Sequence, residues 1–215
     1  MKLAHRVAIA VILVAWLSAG CGKQMKRGIQ TGRMTGSHYT NDSFGLAIDC
    51  PKGWYVEPIA KAEAELANVA KDDQIVSPAL QKPMSEAVQS NYHLLGLWKY
   101  DPNPSIPANP SLKITVEKIT DSTHMKSGRD YLNNVRKMMP MTKIPFKPER
   151  EIYAVTIHGK TLHRLDVHID LAKRRIHQSC IATVRDGYTL ALIITWWDDA
   201  DGKALEKSLQ SLRLK

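Results

Sequence analysis

Arg164, Asp166, His168 and Asp170 alternate along one stretch, and Arg175, His177 and Ser179 alternate along the next. In an extended chain every second side chain falls on the same face. If Ala172-Lys173 forms a two-residue turn, Asp170 lies opposite Arg175, His168 opposite His177 and Asp166 opposite Ser179. Two imidazoles (His168, His177) flanked by two carboxylates (Asp166, Asp170) are a donor set for a divalent metal. The same residues also describe a charged strand face on which Asp–Arg cross-strand pairs stabilise a sheet. The register further sets His177 opposite Trp196, where the imidazole can pack on an indole.

Other reactive side chains are few. Cys50 shares a strand face with Phe44, Leu46 and Ile48, and Cys180 shares one with Ile176, Ala182 and Val184. Both thiols are therefore expected in a core. Two readings stay open: a disulfide between Cys50 and Cys180, or two separate buried thiols. The chain contains no HExxH, no GxSxG, no phosphate-cradling glycine loop and no CxxC, the motifs that mark common hydrolases, nucleotide sites and redox centres. The expectation is a non-catalytic protein without a cofactor. A hydrolase or transferase with scattered catalytic residues is the enzymatic alternative.

The elements that must position these groups follow from period and punctuation. Residues 44–50 alternate as a strand that Pro51 stops, and Pro51-Lys52-Gly53 turns the chain. Residues 59–70, rich in Ala, Glu and Lys, read as a helix, and 85–90 as a short second one. Residues 92–100 read as a buried strand. Residues 101–111 hold four prolines and read as a loop. Residues 112–119 alternate again. Ser127 and Asp130 open a helix that carries Tyr131, Leu132, Val135 and Met138 at helical spacing until Pro140. Residues 152–157, 162–171, 175–185 and 188–197 form a meander, with Asp186-Gly187 as a hairpin turn. The last of these strands is apolar on both faces, which a sheet covered on both sides requires. A final helix follows with Leu205, Leu209 and Leu212 on one side.

The N-terminus carries a different message. Lys2 and Arg6 precede Val7–Leu17, an unbroken apolar run, and Leu17-Ser18-Ala19-Gly20-Cys21 follows. A basic start, a short apolar segment and small residues before a cut are the layout of a secretory signal peptide. The run is shorter than the roughly 20 apolar residues a permanent span needs. The cysteine after the small residues resembles the lipobox of bacterial lipoproteins, and that resemblance implies acylation of Cys21 (palmitate among its chains) and removal of residues 1–20. Two or more acyl chains hold stably, at about 0.8 kcal/mol per buried methylene. The expected organisation is a signal peptide over 1–20, a flexible basic tether over 21–38 and one domain over 39–215. The location expected is the bacterial cell envelope, lipid-anchored and facing the periplasm. Gly22 is not the inner-membrane retention residue of enteric lipoproteins, which points to the outer membrane where there are two. The whole chain has a formal charge of +9, and the leader removes only Lys2 and Arg6 from it. An exported basic body fits an anionic lipid surface, not nucleic acid.

Tyr39-Thr40-Asn41-Asp42-Ser43-Phe44-Gly45-Leu46, followed by Cys50-Pro51-Lys52-Gly53-Trp54, resembles the opening of PsbP-like domains, which begin with an aromatic-led segment, a Phe-Gly strand and a Pro-x-Gly-Trp turn. Leu94-Leu95-Gly96-Leu97-Trp98, the helix from Ser127, Ile157-His158-Gly159-Lys160 and Asp186-Gly187-Tyr188 follow in the order of that family. The resemblance covers residues 39–215. It implies an α+β fold with a central antiparallel β-sheet and helices on both faces, an α/β/α sandwich. The family includes an extrinsic photosystem II subunit, a nuclear-transport factor that binds a small GTPase, and bacterial envelope lipoproteins. The expectation is an accessory, protein-binding module. Residues 59–111 depart from the family pattern as an insertion-like region.

Loops on a rigid scaffold usually carry binding. The loops 101–111 and 140–149 are the candidates for an envelope protein partner, the second with Lys143 and Lys147 around Phe146 as an anchor. The alternative to a protein partner is a small ligand or divalent metal on the His168/His177 face.

Overall fold

The computed structural model describes residues 29–72, 75–82, 90–102, 109–119, 125–171 and 174–215. The leader, Cys21, the start of the tether, nearly all of the expected helix 85–90, the centre of the proline-rich loop and the turn Ala172-Lys173 lie outside the described residues.

The chain opens with β1 (Arg33–Thr35), β2 (His38–Asn41) and β3 (Leu46–Asp49). The stretch expected as tether is thus already paired from residue 33, with Arg33 opposite Thr40 and Thr35 opposite His38. Next come β4 (Tyr55–Val56), α1 (Ile59–Val69), β5 (Asn91–Trp98) and β6 (Ser111–Lys118). Then follow α2 (Gly128–Met138), β7 (Lys147–Pro148) and β8 (Tyr153–Ile157). The chain ends with β9 (Lys160–Leu171), β10 (Arg174–Arg185), β11 (Tyr188–Trp196), α3 (Asp199–Gln210) and β12 (Arg213–Leu214).

The fold is α+β. The large sheet runs β4-β5-β6-β11-β10-β9-β7 with β8 also on β9, and every pairing in it is antiparallel. A small sheet, β1-β2-β3-β12, joins the first strands to the last. Two cores result. On one face of the large sheet, Leu165, Val167, Ile176, Ala182 and Ile193 pack with Tyr131, Leu132 and Val135 of α2 and Leu66 and Val69 of α1. On the other, Leu112, Ile114, Leu190, Leu192 and Ile194 pack with Phe44, Leu46 and Ile48 of the small sheet and Leu205 and Leu209 of α3. Each Leu or Ile so buried contributes about 1.5–3 kcal/mol. Strand β11 feeds both cores, which is why it is apolar on both faces.

Local chemistry fixes the ends. Asp186 and Gly187 both have positive φ, 51° and 78°, the conformation of a two-residue turn whose twist matches the strands it joins. Ser127 Oγ accepts from the Asp130 amide at 3.3 Å, and Asp198 Oδ1 accepts from the Asp201 amide at 2.8 Å. Such caps are worth about 1 kcal/mol each. Gly128 lies so close to β10 that a Cβ there would sit 2.0 Å from the Ala182 carbonyl oxygen. The absence of a side chain lets α2 settle on the sheet.

Candidate functional site

The polar strip lies on the α3 side of β9 and β10, where the apolar core gives out. Its register matches the spacing argument: Asp170 faces Arg175, His168 faces His177 and Asp166 faces Ser179, while His177 faces Trp196 on β11. Strand β7 closes the edge, with Lys147 opposite His168 and the Glu149 amide donating to the Asp166 carbonyl at 2.9 Å.

Asp166, 6 % exposed, is the hub. Its Oδ1 accepts from Arg164 Nε at 2.6 Å and from the Ser179 hydroxyl, and its Oδ2 accepts from Tyr153 Oη at 2.8 Å and Arg150 Nη2 at 2.9 Å. The Arg150 guanidinium stacks over the Tyr153 ring and also bonds its hydroxyl. Arg164 reaches on to α3, giving a fork of two hydrogen bonds to Glu206, and donates to Ser179 Oγ at 2.8 Å. Burial alone raises a carboxyl pKa; here the hydrogen bonds from Ser179 and Arg164 and the Arg164 charge outweigh it and hold Asp166 below its usual range. Burial and the hydrogen bond to Asp166 push the Tyr153 phenol up to about 12. Asp170 is exposed, and hydrogen bonds from Lys147 and Arg175 lower its pKa to about 2.

The imidazoles form a second, more open group. Glu149 Oε1 lies 2.9 Å from His177 Nδ1 and 3.5 Å from His168 Nδ1. The two rings are tilted by 48° with centroids 6.4 Å apart. Trp196 in turn borders a hollow of about 400 Å³ walled by Asp199, Lys203, Glu206, Lys207 and Gln210 of α3.

The four residues singled out for a metal do not converge. Asp166 spends both oxygens on two guanidiniums, a hydroxyl and a phenol, and Asp170 is clasped by Lys147 and Arg175. Among the described residues no group of three His, Cys, Asp or Glu is arranged to hold a metal ion. The strip is instead a lattice of compensated charges. Ser179 is fully buried and already donates to Asp166, so it cannot meet a substrate as a nucleophile.

The other expected residues are placed as follows. Cys50 and Cys180 are free thiols, one in each core on opposite faces of the sheet. Burial pushes both up to about 12. In the loop 140–149, Phe146 is half-buried against the α2-side core, so it pins the loop to its own body. Lys147 pairs with Asp170, and Lys143 is exposed with its amide bonded to the Ile75 carbonyl at 2.9 Å.

Sequence reasoning missed Glu149 and read Arg150 only as a basic residue near the loop 140–149; both sit just after a two-residue strand that contains a proline and shows no period. It also missed a buried charge cluster on the opposite face. Lys113, 2 % exposed, places Nζ 3.4 Å from Glu57 Oε2 and 4.2 Å from the Trp98 ring centroid. Burial lowers the Lys113 pKa, opposed by Glu57 and Glu65. His93, close by, falls to about 3 through burial and the Lys113 charge.

No family model matches the chain, and no curated protein matches it. Among solved structures, the fold is similar to cyanobacterial PsbP from Synechocystis sp. PCC 6803, with a TM-score of 0.48, 12 % identity, and coverage of 90 % of this chain and 98 % of that one. It is similar to LpqN of Mycobacterium tuberculosis, described as involved in cell envelope biogenesis: TM-score 0.46, 13 % identity, 81 % of this chain and 86 % of that one. A protein of unknown function from Pseudomonas aeruginosa, PA94, described as a putative regulator, gives 0.37 at 17 % identity over 49 % of this chain and 74 % of that one.

Proposed function

We propose that this chain is a non-catalytic accessory lipoprotein of the bacterial envelope, held by acyl chains on Cys21, whose folded body binds a protein partner. The observation that carries the reading is the run Val7–Leu17 followed by Leu17-Ser18-Ala19-Gly20-Cys21. No helix among the described residues is long and apolar enough to cross a membrane; in this reading the acyl chains are the attachment. Gly22 favours the outer membrane of a two-membrane cell. The strip supports binding over catalysis because its carboxylates are locked in pairs and its hydroxyl and the thiols are buried. Rigid, charge-compensated surface of this kind suits recognition, where groups held in place lose little freedom on association.

Mass spectrometry of the protein purified from its own membranes tests the anchor. The expected N-terminus is an acylated Cys21; Met1–Gly20 still joined to an unmodified sulfur overturns it. A photo-crosslinking residue at Lys203, beside Trp196, tests the partner in cells. A discrete adduct is expected there and none from the same residue at Glu63, on the opposite side of the sheet. Identical adduct patterns at both positions remove the strip as the binding surface.

A further inference from the structure

A groove of about 340 Å³ runs between the β1–β2 hairpin and the turn that follows β3. Its walls are Met34, Cys50, Pro51, Trp54, Val56 and Leu97. It is apolar but open: Val56 is 45 % exposed and Trp54 is half-buried. Lys52 stands exposed on its lip. Asp49, next to Cys50 in the chain, is bonded to His38 at 2.7 Å. An indole with an apolar body and one polar N–H, next to a cation on a flexible stem, is the pairing that settles at a membrane–water boundary.

The position in the chain says which surface this groove meets. Ile29, where the described body begins, is eight residues beyond Cys21, a reach of at most about 29 Å even when fully extended. Met34 lies five residues further on, in β1. Between Cys21 and Asp42 the chain carries Lys23, Lys26, Arg27 and Arg33 and no acid. A short basic tether therefore keeps the body within reach of whatever Cys21 is fixed to.

We infer that the groove bounded by Met34, Lys52, Trp54 and Val56 is a bilayer contact that lays the folded body on an anionic lipid surface. The inference rests on the lipid-anchored reading for its geometry. It adds an orientation, with the groove turned to the membrane.

The test uses a chain that begins at Gly22. It keeps every described strand and core residue and lacks both the leader and Cys21. Sedimentation with vesicles of mixed phosphatidylglycerol and phosphatidylcholine is expected to show salt-sensitive binding that vesicles of phosphatidylcholine alone do not support. Brominated acyl chains are expected to quench indole emission, and Trp54→Phe to remove most of that quenching. Lys52→Glu and Val56→Glu, both at exposed positions, are each expected to weaken partitioning by about fivefold or more, since one charge near an anionic surface is worth about that factor. Circular dichroism confirms that each variant is folded. No binding, equal binding to phosphatidylcholine alone, or binding that ignores both Glu variants overturns the contact. None of these results touches the anchor, because Cys21 is missing from this chain; an unmodified Cys21 in native material removes the anchor and leaves the vesicle result standing.

Discussion

His177 lies flat against Trp196, with ring planes 15° apart and centroids 5.5 Å from each other. The pair joins β10 to β11 at the end of the sheet where the apolar core stops, and it aims His177 Nδ1 at Glu149. Stacked aromatic pairs are worth about 0.5–1.5 kcal/mol beyond their buried area. His177→Ala is expected to lower stability by about 1 kcal/mol in urea unfolding, and His177→Phe, which keeps the stack, by clearly less. Equal losses in the two variants make the hydrogen bond to Glu149, and not the stack, the source.

Asp166 holds together four partners from three strands and the loop after β7. Asp166→Asn removes the charge that Arg164 and Arg150 face, and breaking such a buried pair costs about 3 kcal/mol. The acid response follows from the lowered pKa. Its contribution is fully present above the ordinary carboxylate value of about 3.9 and is lost as the pH falls through the lower folded value. Asn is therefore expected to reduce stability at pH 7 and to flatten the acid limb below about pH 4. An acid limb of unchanged slope counts against Asp166 as its source.

The Lys113–Glu57 pair predicts non-additivity. Lys113→Met leaves Glu57 buried without its cation and is expected to cost about 3–5 kcal/mol. Adding Glu57→Gln removes the stranded charge and is expected to restore part of that loss. A double-mutant cycle in urea reads the coupling; a double variant as unstable as the sum of the singles rejects it.

His93 sets a second pH dependence. Its folded pKa of about 3 lies below the ordinary histidine value of 6.5, so the unfolded chain binds the extra proton first. Stability is expected to be full above about pH 6.5 and to decline steadily toward pH 3, by on the order of 5 kcal/mol in total. His93→Gln is expected to remove most of that decline. Stability curves taken between pH 7 and 4 decide it.

The thiols give a chemical check on the two-core arrangement. A thiol raised to about 12 is almost wholly protonated at pH 8 and reacts slowly. Alkylation of the chain from Gly22 is expected to be slow when folded. In denaturant without reductant, both Cys50 and Cys180 are expected to react; if neither does, they are bridged.

Much of this arrangement is legible in the residues themselves. Strand side chains repeat every two residues, so once the hairpin turns are placed the register follows, and with it the facing pairs Asp170/Arg175, His168/His177 and His177/Trp196. The two-sided apolar run of β11 gives away its central position. What escapes is long-range or too short to show a period. Strand β1 has three residues and one half-buried side chain, so nothing separates it from a tether. Glu149 and Arg150 act through a two-residue strand. Lys113 looks like the solvent side of an alternating strand, because its burial comes from α1 and Glu57, more than 40 residues earlier in the chain.

The Tyr39 hydroxyl donates to the Thr31 carbonyl at 2.6 Å, with the Leu94 carbonyl 3.1 Å from the same oxygen, while the Asn41 amide donates to the Gln30 carbonyl at 2.7 Å. Together with the three residue pairs of β1 on β2 and the packing of Met34 against the α3-side core, these bonds fasten residues 30–35 to the body. A pull on the N-terminal end is met here first. The first hairpin is thus the seam through which such a pull enters the fold.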